Sequence, residues 1–113
     1  MSHYILLLRG GNEPYQDMSA EEIEAAIQRY RDWANQLRSE NKLVDAIKLD
    51  SNGKTLVKKE QSIQVDGPFT ETKETIGGYF TVIANSYTEA AGIAQQCPIF
   101  DEGGTVEIRE IQN

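Results

Sequence analysis

The run Tyr4-Ile5-Leu6-Leu7-Leu8 is continuously apolar and of strand length, as in a strand covered on both faces. The strand reads from His3 to Arg9, and Gly10-Gly11-Asn12-Glu13-Pro14 closes it with turn formers. Ile23, Ile27, Tyr30, Ala34 and Leu37 then recur at helical spacing, with Ala26 and Trp33 widening the stripe. Ser19 stands where an N-cap belongs, and Glu22, three residues on, completes a capping box. The helix runs to about Glu40 and yields to Asn41.

Leu43 to Leu49 reads as a second strand. Asn52-Gly53 predicts a hairpin turn, Thr55 to Lys58 returns from it, and Lys59-Glu60-Gln61 breaks the run before Ser62 to Val65 extends again. After a polar loop, Tyr79 to Ala84 is a strand, Tyr87 to Gln96 a short helix stopped by Pro98, and Thr105 to Ile111 the last strand. Ala90, Ala91, Ala94 and Cys97 share one side of that helix. The order is β-α-β-β-β-α-β, with the short third return as an extra hairpin element. This is an α+β fold of split βαβ, ferredoxin-like plan, an antiparallel sheet with two helices on one face. The whole chain, 1–113, forms one domain.

Alternation along the strands sorts the sheet into two faces. Tyr4, Leu6, Leu8, Phe80, Val82, Val106 and Ile108 belong under the helices. The other face mixes Ile5, Leu7, Ile47 and Ile83 with Arg9, Tyr79, Glu107 and Arg109. An open apolar face of that size marks an interface. A second copy covering it makes a homodimer with a shared cleft.

Charge narrows the partners. With 11 basic and 18 acidic residues the chain carries −7, which disfavours direct nucleic-acid binding. No stretch reaches the ~18 apolar residues of a membrane span, and no basic region precedes the first apolar run as in a signal peptide. Cys97 is the single cysteine, so no internal disulfide forms, and a cytoplasmic location is expected. One His and no CxxC pair predict no metal. Gly77-Gly78 and Gly103-Gly104 each precede a strand rather than a helix, so no phosphate loop and no cofactor are expected.

The segment Asp66-Gly67-Pro68-Phe69-Thr70-Glu71-Thr72-Lys73-Glu74 resembles the signature of the DGPF-domain proteins within the YCII-related family. Gly77-Gly78-Tyr79 and Gly103-Gly104-Thr105-Val106-Glu107-Ile108-Arg109 resemble that family's next two landmarks, and the first strand and the Ser19-Ala20-Glu21-Glu22 helix start also fit. The resemblance implies a ferredoxin-like fold, dimeric α/β barrels and a bacterial origin, and for most members it leaves the function open. Some members are dehalogenases or resemble muconolactone isomerases, and others are associated with alternative sigma factors. The relatives proposed as enzymes carry a His–Asp pair, with His shortly after the first strand. Here Asp66 matches the Asp half. No histidine lies between Arg9 and Ser19, and His3 is the only one in the chain.

Each candidate residue has two readings. Asp66 is a general base at a strand end, or a turn opener bonding nearby backbone N–H groups. Glu107 and Arg109, two apart on one strand, project into the cleft together. Arg109 there forks onto a ligand carboxylate, or each residue pairs with a charge across the dimer such as Arg9 or Asp45. Arg9 and Arg109 together make the cleft locally positive. Tyr79 orients a ligand or packs. Lys73 and Glu71 form a lid or a solvated loop. Cys97 lies at a helix C-terminus, where the dipole opposes a nucleophile.

The expectation from sequence is therefore a small dimeric protein binding a small organic acid through Arg9, Tyr79 and Arg109. The alternative is an enzyme doing acid–base chemistry on such an acid (isomerase, lyase or dehalogenase), with Asp66 or Glu107 as base. A purely structural partner module is the third reading.

Overall fold

In the computed structural model the described residues are 1–11, 17–50, 52–65 and 76–112. The elements are β1 (Ser2–Arg9), α1 (Ala20–Ser39), β2 (Leu43–Lys48), β3 (Leu56–Lys59), β4 (Ser62–Val65), β5 (Ile76–Ala84), α2 (Tyr87–Ala94) and β6 (Thr105–Glu110), with a 3-10 turn over Pro98–Glu102 before β6. Four strands form one sheet in the order β2-β5-β1-β6, every neighbouring pair antiparallel. No described helix is long and apolar enough to cross a membrane.

The helix ends follow their sequence signals. Ser19 Oγ accepts the Glu22 N–H at 3.1 Å, and Glu22 Oε1 accepts the Ser19 N–H at 3.2 Å. At the other end Asn41 takes the left-handed conformation, φ 58°. The Lys42 N–H reaches the Leu37 carbonyl and the Asn41 N–H the Arg38 carbonyl, at 2.9 and 3.0 Å. This Schellman pattern satisfies carbonyls that the helix itself leaves unpaired. The buried line on α1 is Ala26, Trp33 and Leu37, with Tyr30 and Ala34 partly buried beside it. Ile23 and Ile27 lie at its half-buried margin. The stripe is thus turned toward Trp33, whose large ring stacks on Phe80 with centroids 4.5 Å apart.

Both helices contribute to one core beneath one sheet face. Trp33 and Leu37 of α1, and Ala90, Ile93 and Ala94 of α2, cluster with Tyr4, Leu6, Leu8, Phe80, Val82 and Ala84. Leu6 and Val82 are fully buried, each contributing roughly 1.5–3 kcal/mol of transfer free energy. Polar ties fix the helices at their ends. Tyr30 Oη donates to Glu102 Oε2 at 2.8 Å, linking α1 to the 3-10 turn. Tyr87 Oη accepts the Glu110 N–H at 2.9 Å, linking α2 to β6.

The middle hairpin differs from its sequence reading. β2 pairs with β5, not with the following strand, and β3 pairs with β4 in a separate two-stranded sheet. The tight turn is at Glu60-Gln61 rather than Asn52-Gly53. Lys59 pairs with Ser62, and Glu60 and Gln61 take φ of 49° and 73°. Positive φ at both central residues gives the twist that a two-residue hairpin loop needs. Register and the Ser62 Oγ bond to the Lys59 carbonyl (3.1 Å) hold ordinary side chains in a conformation glycine would take more readily.

The 3-10 turn over Pro98–Glu102 is not predicted by the sequence reading. Proline opens it, and Gly103 closes it at φ 81°. The helix before it ends at Ala94, two residues short of the sequence estimate.

Candidate functional site

The face of the sheet away from the helices carries the polar residues singled out from sequence. Register lines them up in two rows. Ile47, Tyr79, Leu7 and Glu107 form one row; Asp45, Thr81, Ile5 and Arg109 form the other. Arg9 extends β1 past the first row, opposite Thr105 and Ile76. The β1–β5 register shifts between Leu8 and Arg9, passing over Gly77. Such bulges re-aim the side chains beside them.

Three of the predicted residues meet. Arg9 Nε donates to Glu107 Oε1 at 3.3 Å, with Nη2 of the same guanidinium 3.2 Å from that oxygen. Arg109 Nη1 lies 3.6 Å from Glu107 Oε2. One carboxylate therefore sits between two guanidiniums, and the group carries a net positive charge. Within the chain, Glu107 pairs with both arginines. Arg109 is the more open of the two arginines. Its side chain is 70% exposed, against 29% for Arg9. The reason is position: β6 ends the sheet, while β1 is flanked by β5 and β6.

Tyr79 is half-buried in the same row as Glu107, with Leu7 between them. His3 is exposed at the start of β1, opposite Ile83. Asp66, Glu71 and Lys73 lie outside the described residues. The apolar groups of this face are less bare than alternation alone suggests: Ile5, Leu7 and Ile83 are half-buried, and Ile47 is 39% exposed. Thr81 is the polar residue on this face that the sequence reading did not single out. It is buried, beside Ile5. The signal was present in the parity of β5, where Thr81 falls two residues from Tyr79.

One glycine of each pair is fixed by close packing. A Cβ on Gly78 would sit 2.7 Å from the Ile47 carbonyl oxygen, so β2 could not lie where it does. A Cβ on Gly104 would sit 2.5 Å from Ile99 Cγ1 and 2.7 Å from the Arg9 carbonyl oxygen. Gly104 thereby lets β6 and the 3-10 turn close against the end of β1, bringing Glu107 alongside Arg9.

Cys97 is sealed in the core. Burial pushes its thiol up to about 11; a hydrogen bond from the Ile99 backbone opposes the rise and the nearby Glu102 charge adds to it. A thiol so held is a poor nucleophile at neutral pH.

No curated protein is similar enough to this chain to count as a match. A family model for the YCII-related domain matches residues 6–113, from within β1 to the C-terminus. With nearly the whole length matched, the chain belongs to the YCII-related domain family.

Proposed function

We propose that the protein is a ligand-binding dimer that takes a small organic acid on its open sheet face. In this reading the chain follows the ferredoxin-like split βαβ plan and pairs face to face as a dimeric α/β barrel. The strand order β2-β5-β1-β6 and the placing of both helices on one side support the plan. The apolar groups Ile5, Leu7, Ile47 and Ile83 between the polar ones support the pairing. The proposed setting is the cytoplasm of a bacterium.

One observation carries the ligand reading: the Arg9–Glu107–Arg109 cluster is cationic on a chain of net charge −7. Among the described residues Arg109 meets only Glu107, and at 3.6 Å. Its fork is thus open to a second carboxylate, which it binds in bidentate fashion. Glu107 holds the two cations together, and Tyr79 in the same row offers a hydroxyl to a bound acid. Both oxygens of Glu107 are taken by arginines, which favours a clamp over a base and binding over proton transfer.

The test is a thermal-shift screen with small mono- and dicarboxylic acids, since a ligand bound by the folded state alone raises apparent stability. At least one acid is expected to raise the melting temperature of the parent protein, and Arg109→Met to abolish that rise while the dimer stays folded. An unchanged response in a folded Arg109→Met dimer would remove Arg109 from the site. Turnover of the acid, lost in Asp66→Asn, would instead make the protein an enzyme.

A further inference from the structure

The β3–β4 hairpin stands apart from the rest of the molecule. Among the described elements its two strands pack principally on each other. The radius of gyration, 15.9 Å, exceeds the roughly 13 Å of a compact chain of about this length. A two-stranded hairpin on its own is marginally stable in water. This one also carries a bare apolar face: Leu56 faces Val65 and Lys58 faces Ile63 across the pair. Alternation puts all four on one side, where Leu56, Ile63 and Val65 are 62%, 63% and 59% exposed.

A second bare apolar strip lies on the body. By the register of β2, Asp45 and Ile47 share the open face, and Leu49, whose N–H bonds the Gly77 carbonyl, continues that parity. Ile47 and Leu49 are each 39% exposed. The two strips do not cover each other within one chain, since both are bare in it.

Charge matches them. Residues 52–65 carry Lys54, Lys58 and Lys59 against Glu60, a net +2, and the rest of the chain, with 8 basic and 17 acidic residues, carries −9. Locally, Lys58 shares the apolar face of the hairpin, and Asp45 shares the strip with Ile47 and Leu49. Among the described residues Asp45 Oδ1 meets only the Ala46 N–H, at 2.9 Å. A basic apolar face and an acidic apolar strip on the same chain are complementary between copies.

We propose that the hairpin is an arm that docks on a second copy of the chain. It lays Leu56, Ile63 and Val65 on that copy's Ile47–Leu49 strip and brings Lys58 to its Asp45. The proposal takes its partner from the dimer reading above and adds the arm's part in it.

The experiment is sedimentation equilibrium of the full chain at low salt, with far-UV circular dichroism and the emission of the lone Trp33 reporting the fold. Ile63→Asp and Lys58→Asp are each expected to raise the dimer dissociation constant at least tenfold with the body still folded. Gln64→Asp, which adds the same charge on the other side of the hairpin, is expected to leave it unchanged. The double variant Lys58→Asp/Asp45→Lys is expected to regain most of the lost affinity. A parent dimer matched by all the arm variants would overturn the arm and leave face pairing intact. A parent chain that is monomeric would overturn both. So would a monomeric chain whose stability, rather than its association, falls with Ile63→Asp, because the arm then packs on its own body.

Discussion

Replacing Gly104 with alanine tests whether close packing, rather than ligand chemistry, accounts for the second glycine pair. The new methyl would meet Ile99 Cγ1 at 2.5 Å, the Arg9 carbonyl oxygen at 2.7 Å and Ile99 Cδ1 at 2.8 Å. Ordinary contact begins near 3.4 Å, so each neighbour must retreat by more than half an ångström. Neither yields readily: Ile99 is 3% exposed, and the carbonyl belongs to a strand flanked on both sides. Overpacking of this kind costs about 1–3 kcal/mol. Loss of chain entropy in the unfolded state returns about 0.4–1 kcal/mol. A net loss of about 1–2 kcal/mol is expected, which in urea moves the midpoint by about 1 M. Trp33 fluorescence follows the transition, because the ring leaves Phe80 on unfolding. Gly77→Ala is the internal control, since a Cβ there meets nothing within 4 Å; it should leave stability unchanged or raise it by up to about 1 kcal/mol. Ile99→Ala removes two of the three clashes, so its double mutant with Gly104→Ala should show coupling of about 1 kcal/mol or more. Equal stabilities for Gly104→Ala and Gly77→Ala would refute the packing argument and return the motif to function.

Three further outcomes follow from local geometry. Ser19→Ala should destabilise the protein by about 1 kcal/mol in denaturant titration, because it unmakes the capping box that opens α1. Cys97 should react with a thiol reagent at pH 8 only as fast as the chain opens. Its raised pKa also sets a sign: between the unfolded value near 9 and the folded value of about 11, the native state keeps a proton that the unfolded state has lost. Stability conferred by the buried thiol is therefore complete below pH 9 and fades toward pH 11, by on the order of 2 kcal/mol. Cys97→Ala should show a correspondingly flatter decline over that window in a pH series of melting curves.

What could be read before the structure depended on how local the cause was. The capping box at Ser19 and the stop at Asn41 are written within a few residues, and both are found as read. Face assignment also held, because a strand's parity needs no knowledge of its neighbours: Tyr4, Leu6 and Leu8 are buried under the helices while Ile5 and Leu7 are not. The pairing of β2 was misread because Asn52-Gly53 is a strong local hairpin signal. One longer-range contact and one equally local turn outweigh it: β2 finds β5 through the gap left by Gly78, and β3 finds β4 through Glu60-Gln61. The site behaved likewise. That Glu107 and Arg109 share a face follows from spacing alone. That Arg9 comes alongside them depends on how β6 registers against β1, some 98 residues away in sequence.

The two margins of the four-stranded sheet are unlike its centre. β2 breaks its ladder with an irregularity between Leu43 and Asp45, and β6 carries Glu107, Arg109 and Glu110 along its outer half. Irregularities and charges on outer strands are how natural sheets prevent a further strand from adding. Margins of this kind disfavour edge-to-edge zipping into an open-ended ribbon. The face-to-face contact proposed above would close after two copies, whereas a contact along a strand edge would not.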